Sequence, residues 1–235
     1  MRHEEKFLCS EKELFLIESR IKCFLELDSN QTSDSYNVRS IYFDTSDDSI
    51  LKESLDGLNH RSKFRIRTYG SNDSIIRLEK KTSIGQLKSK SSCILTKEDV
   101  FTILKNPFFS SISEHKNSPL DEFYVLKKTK QLAPKVIVNY ERSAYIKMDG
   151  NIRITFDRNI GASTQIQEFF NENLLTHQIL PNNTGLIEIK YDNIFPGYLS
   201  RLLNLSNLQR ISFSKYGLCR NILEHNGRID EYYEF

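Results

Sequence analysis

The sequence predicts an α+β fold with a mostly antiparallel sheet or barrel, and three observations lead there. Runs of alternating apolar and polar residues recur along the chain, each reading as a strand buried on one face. About eight such runs are spread between helical segments of modest length, the pattern of an α+β protein. No internal repeat or low-complexity linker divides the 235 residues, so a single domain spanning 1–235 is expected.

Taken in order, Arg2 to Leu8 reads as a strand. Ser10, with Glu13 three positions on, forms a capping box for a helix carrying Leu14, Ile17, Ile21 and Phe24 on one face. Val38 to Phe43 is a second strand, and a helix from about Asp47 to Leu55 is stopped by Gly57. His60 to Tyr69 and Ile75 to Lys81 read as a hairpin with Gly70-Ser71-Asn72-Asp73 as its turn. Leu87 to Leu95 adds a strand. Thr96 and Asp99 cap a short helix with Val100, Ile103 and Leu104, and Ser118-Pro119 opens another. Strands return at Val136 to Ile146, Ile152 to Asp157 and Leu186 to Tyr191, with helices near Gly197 to Leu203 and Lys215 to Leu223.

Composition excludes several functions. No apolar stretch reaches the roughly 18 residues of a membrane-spanning helix, and MRHEEKF is too charged for a signal-peptide core. Cys9, Cys23, Cys93 and Cys219 lack a CxxC pair, which fits reduced, mostly buried thiols and a cytoplasmic location. His3, His60, His115, His177 and His225 are too dispersed for a zinc site, and no hydrolase nucleophile motif or P-loop is present. Lys and Arg total 33 against 31 Asp and Glu. A polyanion would therefore need positive charge concentrated locally.

Such concentrations exist. Residues two apart on a strand share a face, so Arg61, Lys63, Arg65 and Arg67 stand in one row, with Phe64 and Ile66 on the other side. The pattern recurs at Arg2, Glu4 and Lys6; Arg77, Glu79 and Lys81; Lys88 and Lys90; Tyr140 and Arg142; Arg153, Thr155 and Asp157; and Glu188 and Lys190. One reading is an amphipathic sheet with its charged face in water. The other closes the sheet so that the charged faces line a cavity. Periodicity does not say which face is inside. The residues between the cations read as core rather than as exposed stacking platforms, which argues against a nucleic-acid binder.

RHEEKF at the start, VRSIYFDT at 38–45, RSKFRIRTYG at 61–70 and RLEKK at 77–81 resemble the VTC domain of the triphosphate tunnel metalloenzymes. So do VNYERSAY at 138–145, RITFD at 153–157, IEIKY at 187–191 and FSKYGL at 213–218, all in the same order. The resemblance implies a β-barrel, the triphosphate tunnel, with helices packed outside and the charged faces inside. It implies ATP, pyrophosphate, tripolyphosphate and polyphosphate as partners, and Mn²⁺ or Mg²⁺ as cofactor. The implied activity is ATP-dependent polyphosphate polymerase, with a tripolyphosphatase or nucleoside triphosphatase on the same tunnel, or a non-catalytic polyphosphate- or pyrophosphate-binding module, as alternatives. A membrane partner and the oligomeric state are left open.

By the same resemblance Lys6, Arg65, Arg67, Lys81, Arg142, Arg153 and Lys190 match phosphate-contacting positions, Lys6, Arg65 and Arg67 among them being catalytic. Lys88 or Lys90 supplies a further Lys, with the register between them open. Tyr140 matches a phosphate- or nucleotide-contacting Tyr, and Lys215 the catalytic Lys of a Ser-Lys-Tyr motif. Arg39, Arg61 and Lys63 are additional tunnel cations. Glu188 matches the metal ligand, with Glu4 as a second carboxylate. The wider superfamily opens with Glu-x-Glu-x-Lys; here Arg2 replaces the first Glu, leaving one fewer carboxylate for metal. Glu79 and Asp157 are equally well read as ion-pair partners of nearby cations. The tail from Asp230 to Phe235 reads as a frayed terminus.

Overall fold

Strand and helix signals turn into structure largely where the alternation places them. The computed structural model describes residues 2–29, 31, 33–70, 75–85, 87–105 and 119–225. The turn at 71–73, Ser118, His115 and the tail at 230–235 lie outside the described residues. In chain order the elements are β1 (Arg2–Ser10), α1 (Glu11–Ile21), β2 (Glu26–Leu27), β3 (Tyr36–Asp44), α2 (Ser49–Leu55), β4 (His60–Tyr69), β5 (Ile76–Ile84) and β6 (Leu87–Leu95). There follow α3 (Lys97–Lys105), α4 (Pro119–Thr129), β7 (Ala133–Lys147), β8 (Ile152–Ser163), β9 (His177–Gln178), β10 (Thr184–Asp192), α5 (Gly197–Leu202), β11 (Gln209–Arg210) and α6 (Lys215–His225). Every ladder whose register is described is antiparallel.

The chain forms two compact units, each assembled from separate stretches. The first comprises Met1–Asn37, Tyr140–Gly161 and Gln178–Ser214. Its strands run in the order β11, β1, β10, β8 and then β7. One face of this sheet is apolar: Phe7, Tyr145, Ile154, Phe156, Ile187 and Ile189 pack with Leu14, Ile17 and Ile21 of α1 and Leu199 of α5. Truncating any one of the large side chains here costs about 2–5 kcal/mol, the lost transfer energy plus the cavity. The capping box forms as the sequence implies, Glu13 N–H bonding Ser10 Oγ while the Glu13 carboxylate accepts from Ser10 N–H at 2.8 Å. Gly185 lets α1 lie close on β10, because a Cβ there would stand 2.4 Å from Leu14 Cδ1 and 2.7 Å from the Asp157 carbonyl oxygen. Phe24 departs from the expectation. The helix ends at Ile21, so Phe24 leaves the helical period and is 54% exposed.

The second unit comprises Val38–Asn139, Ala162–His177 and Lys215–Phe235. Here β7 borders β3, followed by β4, β5 and β6. Ile41, Phe43, Phe64, Ile66, Ile76 and Leu78 are buried on one face. Phe123 of α4 meets Phe43 edge-on at 4.9 Å and Phe64 at 5.5 Å. Thr96 and Asp99 cap α3 reciprocally, at 2.8 and 3.1 Å. Helix α2 starts at Ser49 because the buried Asp44 carboxylate accepts the backbone N–H groups of Ile50 and Leu51, both at 2.9 Å. Gly57, at φ 65°, follows its C-terminus as the glycine signal implies. Of the four thiols Cys9 and Cys219 are buried, whereas Cys23 is exposed, a departure from mostly buried thiols; burial pushes Cys9 up to about 12.

Candidate phosphate-binding site

Directly opposed residues of an antiparallel ladder share a face, and in the second unit this rule gathers the cations. Arg61, Lys63, Arg65 and Arg67 of β4 stand opposite Ser83, Lys81, Glu79 and Arg77 of β5. Ser83, Lys81 and Glu79 in turn face Lys88, Lys90 and Ser92 of β6. On the other side of β4, Tyr42 lies opposite Arg65 and Ser40 opposite Arg67. Among these ladder partners Glu79 is the single carboxylate.

Glu79 is 1% exposed and is the hub of the cluster. Arg65 Nε donates to Glu79 Oε2 at 2.6 Å, Arg67 Nη1 lies 3.9 Å from the same oxygen, and Lys90 pairs with Oε1. Burial opposes its charge, but Arg65, Arg67 and Lys90 outweigh burial and hold its pKa at about 2. Lys90 reaches Glu79, whereas Lys88 stands opposite Ser83, in the row of Arg61.

The remaining cations are held at defined points. Arg65 Nη1 donates to the Tyr42 hydroxyl at 3.0 Å, and Arg67 Nε to Ser40 Oγ at 3.0 Å. Lys63 Nζ donates to Ser54 Oγ at 2.6 Å and lies 5.7 Å from the centre of the Tyr216 ring. Arg61 donates to the Leu58 carbonyl at 2.7 Å, and Lys81 is exposed. Arg39 does not join them. Its strand parity matches Ile41 and Phe43, opposite Thr68, so it lies on the other face of the sheet. There its guanidinium donates to Asn139 Oδ1 and to the carbonyls of Phe169 and Asn171 at 2.6–3.0 Å.

Lys215 opens α6, and its charge is among those that lower the Tyr42 phenol. The next residue, Tyr216, stacks on Tyr42 with ring centres 5.2 Å apart. The Tyr216 hydroxyl donates to Asp44 and accepts from Arg220 at 3.0 Å; burial and Asp44 push its pKa far up. Asp48 completes the anchor, paired with Arg220 and Lys135 at 2.9 Å each. Tyr42, Ser40, Asp44 and Tyr216 were not singled out from the sequence. Tyr42 and Ser40 alternate with core residues, a visible signal, but only the β3–β4 register shows that they flank Arg65 and Arg67.

The first unit has a differently balanced face. Lys6, Glu188 and Thr155 form one cross-strand row, and Glu4, Lys190 and Arg153 the next. Arg142 donates to Asp157 with Nε at 2.6 Å and Nη2 at 2.8 Å, lies 5.1 Å from the Tyr140 ring centre, and reaches Glu188 Oε2 at 3.6 Å. Lys190 pairs with Glu188 Oε1 at 2.8 Å, Lys6 with Glu4 at 3.2 Å, and Arg153 with Asp28 at 2.8 Å. Burial pulls the Lys190 pKa down, outweighing Glu188 and Glu4, which raise it. Each of these cations thus has a carboxylate partner, as Arg65, Arg67 and Lys90 of the second unit have in Glu79.

Among the described residues no group of three or more His, Cys, Asp or Glu side chains gathers. A divalent ion would therefore be held by one or two carboxylates and completed by phosphate oxygens and water, which suits Mg²⁺ or Mn²⁺. Glu188 fits that requirement. Its row also holds the Thr155 hydroxyl, which is buried with no hydrogen-bond partner among the described residues, so another hard oxygen lies beside it. Glu4 lies on the same face one row away.

A largely antiparallel sheet whose strands carry rows of Arg and Lys is the design of the triphosphate tunnel proteins. Within that class the chain belongs to the VTC domain family, which it matches over residues 1–224. Two solved structures share the fold. One is a Hippeastrum protein described as a proposed adenylyl cyclase with a dominant triphosphatase activity; it is 16% identical, covers 94% of this chain and 96% of its own, and has a TM-score of 0.58. The other is a proposed adenylate cyclase from Bacillus halodurans, 15% identical over 90% of this chain and 92% of its own, with a TM-score of 0.54. No curated protein matches the sequence. No helix among the described residues is long and apolar enough to cross a membrane.

Proposed function

We propose that the chain, acting as one domain, is an ATP-dependent polyphosphate polymerase that moves the γ-phosphate of ATP onto the terminal phosphate of a growing chain and releases ADP. The observation that carries the reading is the face on which the ladder register gathers Arg61, Lys63, Arg65, Arg67, Arg77, Lys81, Lys88 and Lys90, with Glu79 the one carboxylate among their ladder partners. Cations crowded in this way repel one another, and a polyanion relieves the repulsion. With no P-loop in the sequence, side chains must hold the phosphates, and Arg forks do so bidentately.

Phosphoryl transfer passes through a loose transition state, so positioning and charge stabilisation supply most of the acceleration. Arg65, Arg67 and Lys6 would bear on the phosphate that moves, and Lys215 would screen the encounter of two anionic phosphates. Lys63, Lys81, Lys88, Lys90, Arg142, Arg153, Lys190 and Tyr140 would hold the rest of the polyanion. Mn²⁺ or Mg²⁺, bound through Glu188 with Glu4 in support, would neutralise charge on the leaving group. Glu79, with a pKa near 2 and its oxygens paired to cations, is a poor proton acceptor. This favours a phosphate nucleophile, which needs no deprotonation, over water. The test is incubation with ATP and Mn²⁺, resolving the products on a gel. ADP with lengthening phosphate polymers is expected. Free phosphate alone would replace the reading with a tripolyphosphatase, which the activity described for the Hippeastrum protein favours.

A further inference from the structure

Tyr42 falls within the VRSIYFDT stretch but matched no site position there, yet it stands beside Arg65 at the edge of the cation cluster. It is the ladder partner of Arg65, its ring is stacked on Tyr216, and it is only 7% exposed. A phenol hydroxyl both accepts and donates, and when buried it normally finds a partner for each role. The Tyr42 oxygen accepts from Arg65 Nη1 at 3.0 Å. Among the described residues no acceptor takes its hydrogen. The charged groups acting on it are Arg65 and Arg67 from β4 and Lys215 from α6, all of which only donate. The other polar groups of this cluster are engaged elsewhere. Asp44 accepts from Ile50, Leu51 and Tyr216, Ser40 from Arg67, and Glu79 lies beyond Arg65.

We propose that Tyr42 is a further phosphate-binding residue, its hydroxyl donating to a phosphate oxygen that Arg65 and Arg67 hold. The inference rests on the phosphate-binding reading above and adds a neutral donor to a set of cations. An anion drawn to Arg65 and Arg67 brings the acceptor that the phenol lacks. The ring stack on Tyr216, whose own hydroxyl is tied to Asp44 and Arg220, keeps the Tyr42 hydroxyl in place.

The same neighbourhood makes the bond sensitive to pH. Burial opposes ionisation of Tyr42, but Arg65, Arg67 and Lys215 outweigh it and bring the phenol down to about 8. Below that pH the hydroxyl donates to phosphate. Above it a phenolate has no proton to give and repels the anion. Binding therefore favours the protonated phenol and raises its pKa in the complex.

The experiment is calorimetric titration of tripolyphosphate into wild type and Tyr42→Phe across pH 7 to 9, with tyrosinate absorbance followed on the same samples. Phe keeps the ring stack and removes only the hydroxyl. Wild type should bind about tenfold or more tightly at pH 7, the usual effect of a hydrogen bond to a charged group. Its advantage should shrink as pH rises through about 8, since ionisation of tripolyphosphate itself acts on both proteins alike. Adding tripolyphosphate near pH 8.5 should lower the tyrosinate signal of wild type and leave that of Tyr42→Phe unchanged. Equal affinities with parallel pH profiles would overturn the role of Tyr42 alone. Absence of binding by wild type would overturn the phosphate-binding reading and this proposal with it.

Discussion

Arg142 grips Asp157 through two parallel hydrogen bonds of 2.6 and 2.8 Å, and Asp157 has no exposed surface. The pair is a structural fixture, buried and bidentate. Asp157→Ala would leave the Arg142 guanidinium buried with only Glu188, at 3.6 Å, to compensate it. We expect a loss of about 3–5 kcal/mol, the usual cost of breaking a buried ion pair by removing one partner. Denaturant unfolding measures it, and a change below about 1 kcal/mol would contradict the assignment.

Arg65 and Arg67 have a different expected outcome. Arg65→Ala removes a cation from the phosphate face without opening the apolar core, so turnover should vanish while the protein still folds. The buried Glu79 carboxylate would lose the guanidinium hydrogen-bonded to its Oε2, so stability should fall by about 1–3 kcal/mol. Arg65→Ala combined with Glu79→Gln should recover part of that loss but none of the activity. A single variant with wild-type turnover would remove Arg65 from the site.

Glu79 also predicts an acid limb. Its folded pKa of about 2 lies below the ordinary value of 4.5, so the group stabilises the fold above the unfolded pKa. The contribution disappears as pH falls from about 4.5 through 2, and is on the order of 3 kcal/mol. Glu79→Gln should flatten that portion of a stability-against-pH curve. Identical curves for the two proteins would mean that Arg65, Arg67 and Lys90 do not hold the carboxylate as described.

Glu188→Gln keeps the shape of the side chain but lacks the charge that offsets a divalent cation among Arg142, Lys190 and Lys6. Metal activation should be lost with most of the turnover. Mn²⁺ binding, followed by titration calorimetry in the presence of tripolyphosphate, should weaken by at least tenfold. Equal Mn²⁺ titrations in both proteins would assign the metal elsewhere.

Lys215→Ala should reduce polymer synthesis far more than it reduces tripolyphosphate binding. The Lys lies at the start of α6, close enough to act electrostatically on Tyr42, so it belongs with Arg65 and Arg67 rather than standing apart from them. Its special contribution is expected in the encounter of two phosphates, which binding alone does not test. If affinity and rate fall by the same factor, Lys215 is one more wall cation.

Alternation along the chain dictates which residues could share a face. Arg61, Lys63, Arg65 and Arg67 form one row because a strand has a period of two, and Phe64 and Ile66 are buried opposite them for the same reason. The caps at Ser10–Glu13 and Thr96–Asp99 were legible because they are local hydrogen bonds within four residues. The two-residue strands β2, β9 and β11 were not, since a pair of residues has no periodicity. Tertiary structure decided what lies across from each row. Register put Glu79 between Arg65 and Ser92, one row from Lys90, set Tyr42 beside Arg65, and turned Arg39 to the opposite face, where it binds carbonyls. Ladder register depends on long-range pairing and on the burial of one whole sheet face. No alternation within a single strand records its partner, and so the rows of cations and the carboxylates within them could be read from the sequence, while which cation each carboxylate meets, and the phenol beside Arg65, could not.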